Sequence, residues 1–415
     1  MAEDTKGSSV PAENLRCLIV ATHYCPLVGG AQTVYDALAR CRPEQFYILT
    51  SRRDYLTGGE VEGFADFDAA APYKIKRLDR VRPDLVIGRS GALLRGLFAV
   101  KWWWLNLRLI GQIKAICRAE NIDVICIGAG EAFMWLPPAL KRHTDQKIMI
   151  FTHGEEISQV AHSKMAEQNR QRALAAADGV IAVSNYTSKL LEQKYGVQED
   201  KILLSTNGVD LIKFSGVVAD ASRDKLRFPH GPTVFSCGRL VARKGFDQLI
   251  ESWPAVVERI PDANLLIGGT GPLETELKNR VEALGLSESV RFLGNIDAGD
   301  MSSYYGLASL FAMPNRTLPD GDTEGFGLVF LEASAMGTPS IAGRAGGTSD
   351  AVLEGETGLR VDGTDVHEIA KALINLLTDD SRRSAMSHAA LKFAKGQGWP
   401  EKASGILDFM ARDRA

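Results

Sequence analysis

The stretch TEGFGLVFLEASAMGTPSIA, residues 323–342, runs from a Gly-rich turn through a helical pattern into a short apolar run. Another apolar run, residues 309–313, precedes the turn, and Gly337 and Pro339 separate the helical pattern from the run that follows it. The order strand, turn, helix, strand is typical of parallel sheets that helices cover. We therefore expect an α/β fold around this stretch.

The same alternation extends along the whole chain. In the first half the apolar, β-prone runs are residues 17–22, 46–50, 73–78, 123–128, 147–152, 179–184 and 201–205. In the second half they are residues 233–238, 264–269, 290–294, 309–314 and 338–343, and only helical patterns follow them. We expect two doubly wound parallel-sheet domains, with ligands at the carboxyl ends of the strands.

A chain of 415 residues is too long for one ordinary hydrophobic core, which supports the division into two domains. The segment 207–232 has no clean periodicity and several turn formers, so we place the hinge there. The predicted limits are a disordered tail over 1–14, a first domain over 15–206, a second domain over 207–395, and a C-terminal helix over 396–415 that packs back towards the first domain.

The composition indicates a globular, enzyme-like chain, with 45% hydrophobic residues, 24% charged residues and 40 glycines. The polar start does not resemble a secretory signal, and the six cysteines have no CxxC spacing, so we expect reduced thiols in a cytoplasmic protein. A net charge of −3 and the lack of aromatic residues interleaved with basic ones argue against a nucleic-acid partner.

One basic segment stands out. Residues 74–118 contain eleven Lys and Arg against two acidic residues, together with Trp102, Trp103 and Trp104. Such a segment either attaches a protein peripherally to the anionic inner face of the cell membrane or forms a core helix with a solvated face, and helical periodicity does not separate the two. Basic residues within the apolar run 92–110 argue against a spanning helix.

The first stretch also carries candidate binding residues. Gly325 and Gly327 would let backbone N–H groups approach an anion at the start of the helix, and Glu332, further along that helix, would reach a ribose diol. Glu324 lies before the helix and would accept hydrogen bonds from a hexose. Alone, the two carboxylates would be read as a solvated loop acid and a helix acid.

A second candidate set follows the first strand of the second domain. GRLVARKG places Arg239 and Lys244 five residues apart at a strand-to-helix corner, where two cations can bind a diphosphate. Fixed positive charge in a dry cleft stabilises a leaving group most strongly at the transition state, when its negative charge grows. The other interpretation is a pair of surface cations that flank a turn.

The first domain offers weaker signals at its own corners. Gly29 and Gly30 in VGGAQ would bring backbone N–H groups to a phosphate or an acceptor hydroxyl, or would simply form a turn. His153 in FTHGEE follows a predicted strand and would hydrogen-bond a sugar or shape its site. The DxD triplets at 66–68 and 320–322 have metal-binding spacing, but we interpret them as loop acids and expect no metal site.

Together these motifs carry a family resemblance. In order, the GG corner, THGEE, SNYTSKLL, NGVD, GRLVARKG, GGTGP, RFLGNI, EGFGLVFLEASAMGTP and AGGTSD resemble the retaining glycosyltransferases of family 4, over nearly the whole chain. The resemblance implies the GT-B fold, in which two Rossmann-like domains face each other across a cleft. It also implies that the second domain holds a nucleotide sugar and the first an acceptor, with no cofactor and no metal.

Carried over to this chain, the resemblance assigns the catalytic set Arg239, Lys244, Glu324 and His153. It implies that Glu324 binds the donor hexose, that Glu332 binds the ribose, and that His153 lines the sugar site. The remaining donor-binding residues that it implies are Gly29, Gly30, Gly238, Gly271, Ile296, Gly325, Phe326, Gly327, Leu328 and Val329. Gln32 and Tyr24 would lie on the acceptor side.

Within the family, residues 313–347 are most similar to bacterial mannosyltransferases such as the phosphatidylinositol mannosyltransferases, which implies GDP-mannose as donor and a glycan or a lipid-linked hydroxyl as acceptor. A UDP-sugar donor, with glucose or N-acetylglucosamine, stays open because loop contacts around 269–272 and 294–296 decide the base. The other open functions are a non-hydrolysing nucleotide-sugar epimerase and a non-catalytic sugar-nucleotide-binding subunit. Acceptor, linkage and oligomeric state do not follow from the sequence.

Overall fold

A computed structural model describes residues 10–27, 29–54, 57–82, 92–128, 130–216, 218 and 220–412. In this part of the chain a parallel sheet of seven strands has the order β3-β2-β1-β4-β5-β6-β7. Its strands are β1 (Cys17–Val20), β2 (Phe46–Ser51), β3 (Ile75–Leu78), β4 (Val124–Ile127), β5 (Lys147–Thr152), β6 (Gly179–Ala182) and β7 (Ile202–Leu204). β1 is central, since Cys17 pairs with Phe46 on one side and Val124 on the other.

Helices cover this first sheet. They are α1 (Gly30–Cys41), α2 (Phe64–Ala70), α3 (Ala92–Glu120), α4 (Leu136–Leu140), α5 (Glu155–Ser158), α6 (Lys164–Ala176) and α7 (Asn185–Tyr195). Local sequence sets several of their limits: the hydroxyl of Ser184 accepts the Thr187 N–H at the start of α7, and Gly196, with φ 65°, ends the helix in the left-handed conformation.

A second parallel sheet, of six strands in the described residues, has the order β10-β9-β8-β11-β12-β13. After a short helix α8 (Asp220–Lys225) its elements are β8 (Thr233–Cys237), α9 (Phe246–Arg259), β9 (Asn264–Gly268), α10 (Glu274–Ala283), β10 (Val290–Gly294), α11 (Met301–Leu307), β11 (Leu310–Met313), α12 (Leu328–Ala335), β12 (Ser340–Gly343) and β13 (Gly358–Val361). The predicted fold of two doubly wound domains is thus confirmed.

The second sheet corrects one prediction. We expected only helices after residue 343, but β13 pairs in parallel with β12, with Ser340 opposite Gly358 and Gly343 opposite Val361. The four residues GLRV show little alternation by themselves. Their pairing with β12 at the edge of the sheet makes them a strand, and this is a tertiary effect that local propensity does not report.

Helix α9 shows how side-chain spacing builds the second core. Phe246, Leu249, Ile250, Trp253 and Val256 recur on one helical face, and all are at most 1% exposed. They pack with residues of β8, β9 and the helix α13 (Val366–Thr378) in one hydrophobic cluster. The apolar stripe of α9 therefore fixes this helix on the sheet just after the corner that carries Lys244.

The chain ends with α14 (Asp380–Lys395) and α15 (Trp399–Ala411), and α15 returns to the first domain as predicted. The Phe409 ring lies against Gly179 of β6, and Lys147 of β5 donates to the carbonyl of Met410 at the end of α15. Lys402 donates to the hydroxyl of Thr206, 2.7 Å away. These contacts tie the C-terminal helix to the first sheet, while the residue limits of the domains stay predictions.

The N-terminal segment is described from residue 10 on, so most of the predicted tail lies outside the described residues. Its last residues form a turn in which the Asn14 N–H donates to the Pro11 carbonyl. The side chain of Gln45 donates to the carbonyls of Ala12 and Leu15. Residues 11–14, which we assigned to the tail, are thus held against the first domain.

Candidate active site

In both sheets the strand order reverses beside the central strand, between β1 and β4 in the first and between β8 and β11 in the second. In open α/β sheets ligands bind outside the carboxyl ends of the strands at such switch points. The predicted corners follow these strands: the Gly29–Gly30 corner comes after β1, the Lys244 corner after β8, and the Glu324 turn after β11. The topology therefore selects the same corners that the motifs selected.

The two halves touch backbone to backbone at the predicted site. A Cβ atom placed on Gly325 would lie 1.7 Å from the carbonyl oxygen of His153, and one on Gly154 would lie 2.8 Å from the Cα of Gly325. Such distances exclude any side chain at Gly325. Glycine at this position therefore allows the Glu324 turn of the second domain to reach the strand-end histidine of the first.

Lys244 and Glu324 form a buried ion pair at the centre of the site. Nζ lies 2.5 Å from Oε2, and each side chain is 12% exposed. Burial raises the pKa of Glu324, but the positive charges of Lys244 and Arg243 and a hydrogen bond from the Phe326 backbone outweigh burial and lower that pKa below its usual value. Glu324 is thus ionised at neutral pH and can only accept hydrogen bonds.

Neighbouring residues fix the conformation of the corner that carries Lys244. Gly245 has φ 75°, and a Cβ atom there would lie 2.0 Å from the Pro314 carbonyl oxygen. Two residues on, Asp247 receives two 2.8 Å hydrogen bonds from the guanidinium of Arg316. A bidentate pair of this kind fixes orientation, so the segment after β11 holds the Lys244 corner in place.

Arg239 differs from Lys244 in its surroundings. It follows Gly238 at the end of β8, its side chain is exposed, and it makes no ion pair or hydrogen bond with the described residues. Among the residues that the structure describes, the positive charge of Arg239 therefore has no ion-pair partner, whereas that of Lys244 is balanced by Glu324. The methylene chain of Lys244 lies next to Gly238, and its Cε would be 3.8 Å from a Cβ atom placed on that glycine.

The Gly-rich turn leads into α12 as predicted. Gly327 lies immediately before the helix with φ 92°, the Phe326 ring is 2% exposed, and Leu328 and Val329 are half-buried. The side chain of Phe326 therefore anchors the turn in the core, and the backbone N–H groups at the start of α12 remain as donors for an anion.

Glu332 lies one turn into α12 and contacts α11. The hydroxyl of Tyr305 donates to its Oε2 over 2.7 Å, and Tyr305 is fully buried. Burial raises the pKa of Glu332, and the hydrogen bond from Tyr305 offsets only part of the rise. The Tyr305 contact, which the sequence did not reveal, orients the carboxyl group that we expected to bind ribose.

Two predicted donor residues lie on neighbouring loops of the second sheet. Gly271, after β9, packs closely against the Leu240 backbone beyond β8. Ile296, after β10, places its Cδ1 against Gly268 at the end of β9. Both loops therefore follow strands on the side of the sheet where the Lys244 corner lies.

The two glycines of the first Gly-rich corner have different surroundings. Gly29 caps α1 and lies under the amide of Gln32, which lines a cavity, while Gly30 is open to space on its Cβ side. Tyr24, expected on the acceptor side, is only 1% exposed, and its hydroxyl lies 2.9 Å from that of Tyr73. Tyr24 therefore supports the corner from the core and does not line the cavity.

His153 is held as a neutral imidazole. Its ring stacks on Phe151 with centroids 4.9 Å apart, and its Nε2 lies 2.6 Å from the hydroxyl of Tyr35. Because that hydroxyl donates to the Gly128 carbonyl, we assign the proton between the ring and Tyr35 to Nε2, which leaves Nδ1 as an acceptor. Burial lowers the pKa of His153 to about 3, so the ring stays uncharged at neutral pH.

A cavity of about 330 Å³ opens beside His153 in the first domain. Its lining includes residues that follow β1, β3, β4 and β5 and residues of α1 and α5. The lining residues with polar side chains are Thr22, His23, Gln32, Tyr35, Arg82, His153, Glu155, Glu156 and Gln159. Glu156, the last acid of the FTHGEE motif, is only 9% exposed. Our interpretation of the FTHGEE motif did not single out this buried residue.

The two DxD triplets have different partners. Both carboxylate oxygens of Asp68 accept hydrogen bonds from Arg77, at 2.8 and 3.0 Å. Asp322 lies 3.7 Å from Arg243, and the backbone carbonyl of Asp320 accepts the Val160 N–H of the first domain. Within the described ranges no group of three or more His, Cys, Asp or Glu residues has the geometry to hold a metal ion.

A second contact between the domains lies beside the site. The backbone N–H of Asn185, at the start of α7, donates to Asp350 Oδ2 over 2.8 Å, and its side-chain amide donates to Oδ1 over 2.5 Å. The AGG corner before Asp350 is also close, since a Cβ on Gly347 would lie 2.5 Å from the hydroxyl of Ser184. These contacts hold the two carboxyl-end edges together.

Comparisons with known proteins agree with this architecture. The family model described as Glycosyltransferase Family 4 matches residues 28–213, and the model described as Glycosyl transferases group 1 matches residues 218–393. The two matches divide the chain close to the predicted hinge. The second match spans all strands of the second sheet, and the first spans β2 to β7 of the first sheet.

Two relatives cover most of the chain. A GDP-mannose-dependent monoacylated alpha-(1-6)-phosphatidylinositol monomannoside mannosyltransferase of Corynebacterium glutamicum is 32% identical over 384 residues, which are 90% of this chain and 92% of the relative. A GDP-mannose-dependent alpha-(1-6)-phosphatidylinositol monomannoside mannosyltransferase of Mycolicibacterium smegmatis is 36% identical over 286 residues, which are 68% of this chain and 74% of the relative.

Among solved structures, Anabaena HepE in complex with UDP and glucose superposes with a TM-score of 0.73 at 18% identity, over 94% of this chain and 98% of HepE. At this identity the likeness shows the fold alone, and that fold is the predicted GT-B arrangement. The resemblance that the motifs carry is confirmed by the family models and by both relatives. The protein is a glycosyltransferase and belongs to glycosyltransferase family 4.

Proposed function

We propose that the protein transfers mannose from GDP-mannose to a hydroxyl of a glycan or lipid-linked acceptor, with retention at the anomeric carbon and without a metal ion. The observation that carries this proposal is the buried Lys244–Glu324 pair against the His153 loop. This pair sets a cation and a hydrogen-bond acceptor beside the loop of the first domain that carries His153. The donor is inferred from the printed activities of the two relatives.

In this proposal Lys244 has two partners in turn. Without donor, Glu324 balances its charge inside the protein, at a distance of 2.5 Å. With donor, Lys244 and the exposed Arg239 would bind the diphosphate together with the backbone N–H groups at the start of α12. Their stabilisation is strongest when the glycosidic bond breaks and the diphosphate gains charge, which lowers the barrier rather than the ground state.

The two acidic residues would then bind sugars in different ways. Glu324 is ionised, so it would accept hydrogen bonds from hexose hydroxyls, and Glu332 would bind the ribose diol with the carboxyl oxygen that Tyr305 leaves unused. His153 would accept a hydrogen bond at Nδ1 from the sugar. None of these roles needs a covalent intermediate, so we propose a displacement on one face in which the leaving phosphate helps to deprotonate the acceptor hydroxyl.

The acceptor side of the proposal includes a membrane surface. Helix α3 exposes Trp103 by 58%, Trp104 by 63% and Val100 by 57%, and the neighbouring Lys101 and Arg108 are exposed too. Its C-terminal part packs under the first sheet, with Ile113 fully buried. We call the exposed residues Val100, Lys101, Trp103, Trp104 and Arg108 the α3 ridge. An apolar and basic surface of this kind fits an anionic lipid surface, with the protein bound peripherally on the inner face of the cell membrane.

The rest of the basic segment 74–118 gives less support for membrane contact than α3 does. Residues 83–91 of the predicted membrane segment 74–118 lie outside the described residues. Across the described part of the chain, none of the helices combines the length and the apolar character that crossing a bilayer requires. We therefore base the lipid-surface proposal on the exposed ridge of α3 alone.

A thermal-shift panel tests the donor. Because ligand binding stabilises the folded state by about 2.7 kcal/mol at a hundredfold excess over Kd, GDP-mannose and GDP should raise the unfolding midpoint more than UDP-glucose or UDP-N-acetylglucosamine. The shift should persist in EDTA. A larger shift with the UDP compounds would contradict the proposed donor and favour the alternative of a UDP-sugar transferase.

An activity assay separates transfer from the other open functions. Incubation of the protein with GDP-mannose and phosphatidylinositol monomannoside in mixed micelles should give a mannosylated lipid. Donor alone should yield no epimerised nucleotide sugar. Epimerised product without acceptor would support the epimerase, and nucleotide binding without turnover across a panel of donors and acceptors would support a non-catalytic subunit.

A further inference from the structure

Tyr305 carries a hydroxyl into the aromatic core of the second domain. This residue of α11 is 0% exposed, and its ring packs against Phe214, Phe235 and Phe311 with centroids 5.9, 5.2 and 5.5 Å apart. A phenylalanine would make the same ring contacts and would bury no polar atom. The packing of the ring therefore does not explain the hydroxyl, and its partners have to.

The hydroxyl of Tyr305 belongs to a buried chain of three polar side chains. It lies 2.7 Å from Glu332 Oε2 and 3.2 Å from Sγ of Cys237, the last residue of β8. Burial raises the pKa of the Cys237 thiol to about 12, so the thiol keeps its proton at neutral pH. Because a carboxylate only accepts, we assign the Tyr305 proton to Glu332 and the S–H of Cys237 to the tyrosine oxygen. The thiol thereby keeps the tyrosine hydroxyl turned towards Glu332.

The two oxygens of Glu332 have different surroundings. Oε2 accepts from Tyr305, whereas Oε1 makes no hydrogen bond with the described residues and is reached by solvent. Burial raises the pKa of Glu332, and the Tyr305 hydroxyl and the positive charge of Lys213 lower it in part. Tyr305 therefore holds the carboxyl group in one orientation and favours its ionised form, which leaves a fixed acceptor on the open side.

We propose that Tyr305 sets the selectivity of the donor site for ribonucleotides. By holding Glu332 from behind, it keeps the carboxylate where the 2′- and 3′-hydroxyls of a nucleotide donate to it, so that a nucleotide without these hydroxyls binds weakly. This inference rests on the proposed function, in which Glu332 binds the donor ribose. Tyr305 is a positioning residue, because it acts through Glu332 and does not touch the nucleotide.

The size of the selectivity follows from the kind of contact. A site built to hydrogen-bond a hydroxyl rejects an analogue that lacks it, because the polar group of the site then stays unpaired. Without the Tyr305 hydroxyl, Glu332 would lose the one side-chain donor that holds it among the described residues, and its pKa would rise further. Its carboxyl group would then accept from the ribose less well, and the selectivity would fall.

The neighbouring Tyr304 provides a matched control. It lies on the same helix, is 8% exposed, and stacks on Phe235 with centroids 5.4 Å apart. Its hydroxyl makes no hydrogen bond with the described residues. Tyr304→Phe therefore removes the same atom as Tyr305→Phe from the same aromatic cluster and leaves the Tyr305–Glu332 contact in place.

The test measures the affinity of the full chain for GDP and for 2′,3′-dideoxy-GDP by calorimetry. We expect the native protein and Tyr304→Phe to bind GDP about 10- to 100-fold more tightly than the dideoxy compound. In Tyr305→Phe this ratio should fall below about threefold, because GDP binds more weakly while the affinity for dideoxy-GDP is unchanged. The dideoxy compound reports on the integrity of the site, since a misfolded variant would lose both ligands alike.

Each other outcome has a definite meaning. An unchanged ratio in Tyr305→Phe, an equal loss of both ligands, or the same fall in Tyr304→Phe would overturn the inference while the proposed function stands. Equal binding of GDP and dideoxy-GDP by the native protein would overturn it as well, with nucleotide binding intact. If the native protein binds no GDP, the proposed function fails and takes the inference with it.

Discussion

Replacement of Lys244 by methionine removes the positive member of the buried pair at the centre of the site. In the native protein Nζ lies 2.5 Å from Glu324 Oε2, and both side chains are 12% exposed. Methionine keeps much of the apolar part of the lysine side chain, so the substitution mainly removes the positive charge. In the variant the Glu324 carboxylate stays buried, with the Phe326 backbone and Arg243 as its remaining partners.

The expected cost follows from the burial of the pair. Loss of one member of a buried ion pair typically costs about 3–5 kcal/mol, since the other charge is left uncompensated. We expect about 3 kcal/mol at pH 8, because Arg243 and the Phe326 N–H still stabilise the carboxylate. For a domain of this size, that corresponds to a fall of roughly 6–12 °C in the unfolding midpoint.

The loss should depend on pH with a definite sign. In the native protein the pKa of Glu324 is lowered from 4.5, so the pair contributes its full stability above that value and loses it as pH falls through the folded pKa. In Lys244→Met only Arg243 and the Phe326 N–H still offset burial, so we expect the folded pKa of Glu324 to be higher than in the native protein. The difference between variant and native protein should therefore be large at pH 8 and shrink towards pH 5, as the buried carboxyl binds a proton.

The assay is thermal unfolding without nucleotide at pH 8 and pH 5 for the native protein, Lys244→Met, Glu324→Gln and the double variant. Because the double variant has no unpaired charge, it should be more stable than the sum of the single losses predicts, by about 1–3 kcal/mol. Equal midpoints for Lys244→Met and native protein at pH 8 would refute the reasoning. Strictly additive losses in the double variant would do the same.

Three further predictions concern other parts of the molecule. Glu156→Gln should be more stable than the native protein at pH 8 by up to roughly 3 kcal/mol and nearly equal to it at pH 5. The reason is that the pKa of Glu156 is about 7 in the folded protein against an ordinary value of 4.5, so ionisation favours the unfolded state as pH rises. Parallel pH dependences of the two proteins in thermal unfolding would contradict this. Serine at both Trp103 and Trp104 should weaken sedimentation with anionic vesicles at least about tenfold and leave GDP-mannose affinity unchanged; undiminished sedimentation would count against the ridge. Asp350→Ala removes both hydrogen bonds to Asn185, so the two domains should be held together less firmly. We expect the Kd for GDP-mannose, measured by calorimetry, to rise about fivefold. An unchanged Kd would show that the contact does not support donor binding.

Much of the fold follows from the sequence because parallel strands in α/β domains are short, continuous apolar runs. The runs at 17–22 and 233–238 became central strands, and the helical pattern after Gly245 became α9, with Trp253 fully buried. The edge strand β13 did not follow, because four residues with one basic side chain gain their strand character only from pairing with β12.

The site was predictable as a set of corners, but its contacts were not. Strand-end reasoning placed Lys244 and Glu324 on one edge of the sheet although they are 80 residues apart. Their direct pairing depends on the close approach of Gly245 to Pro314, which no local pattern encodes. The residue roles at this edge stay predictions until a ligand is bound.

Burial explains where residue-level reasoning fell short. The resemblance implies an acceptor-side position for Tyr24, but its ring lies in the core. Glu156 stands at a helix start, where acids are usually solvated, but the His153 loop covers it. In both cases the chain neighbours of the residue gave no sign of the tertiary contacts that decide its exposure.

The central claim is that the Lys244 corner and the Glu324 turn bind one nucleotide sugar opposite His153. A crystal structure of the protein with GDP-mannose tests it most directly. We expect the diphosphate within hydrogen-bond distance of Lys244, Arg239 and the backbone N–H groups at the start of α12, with the hexose on Glu324. A donor bound elsewhere, or one whose diphosphate contacts neither cation while Lys244 stays paired with Glu324, would contradict the account.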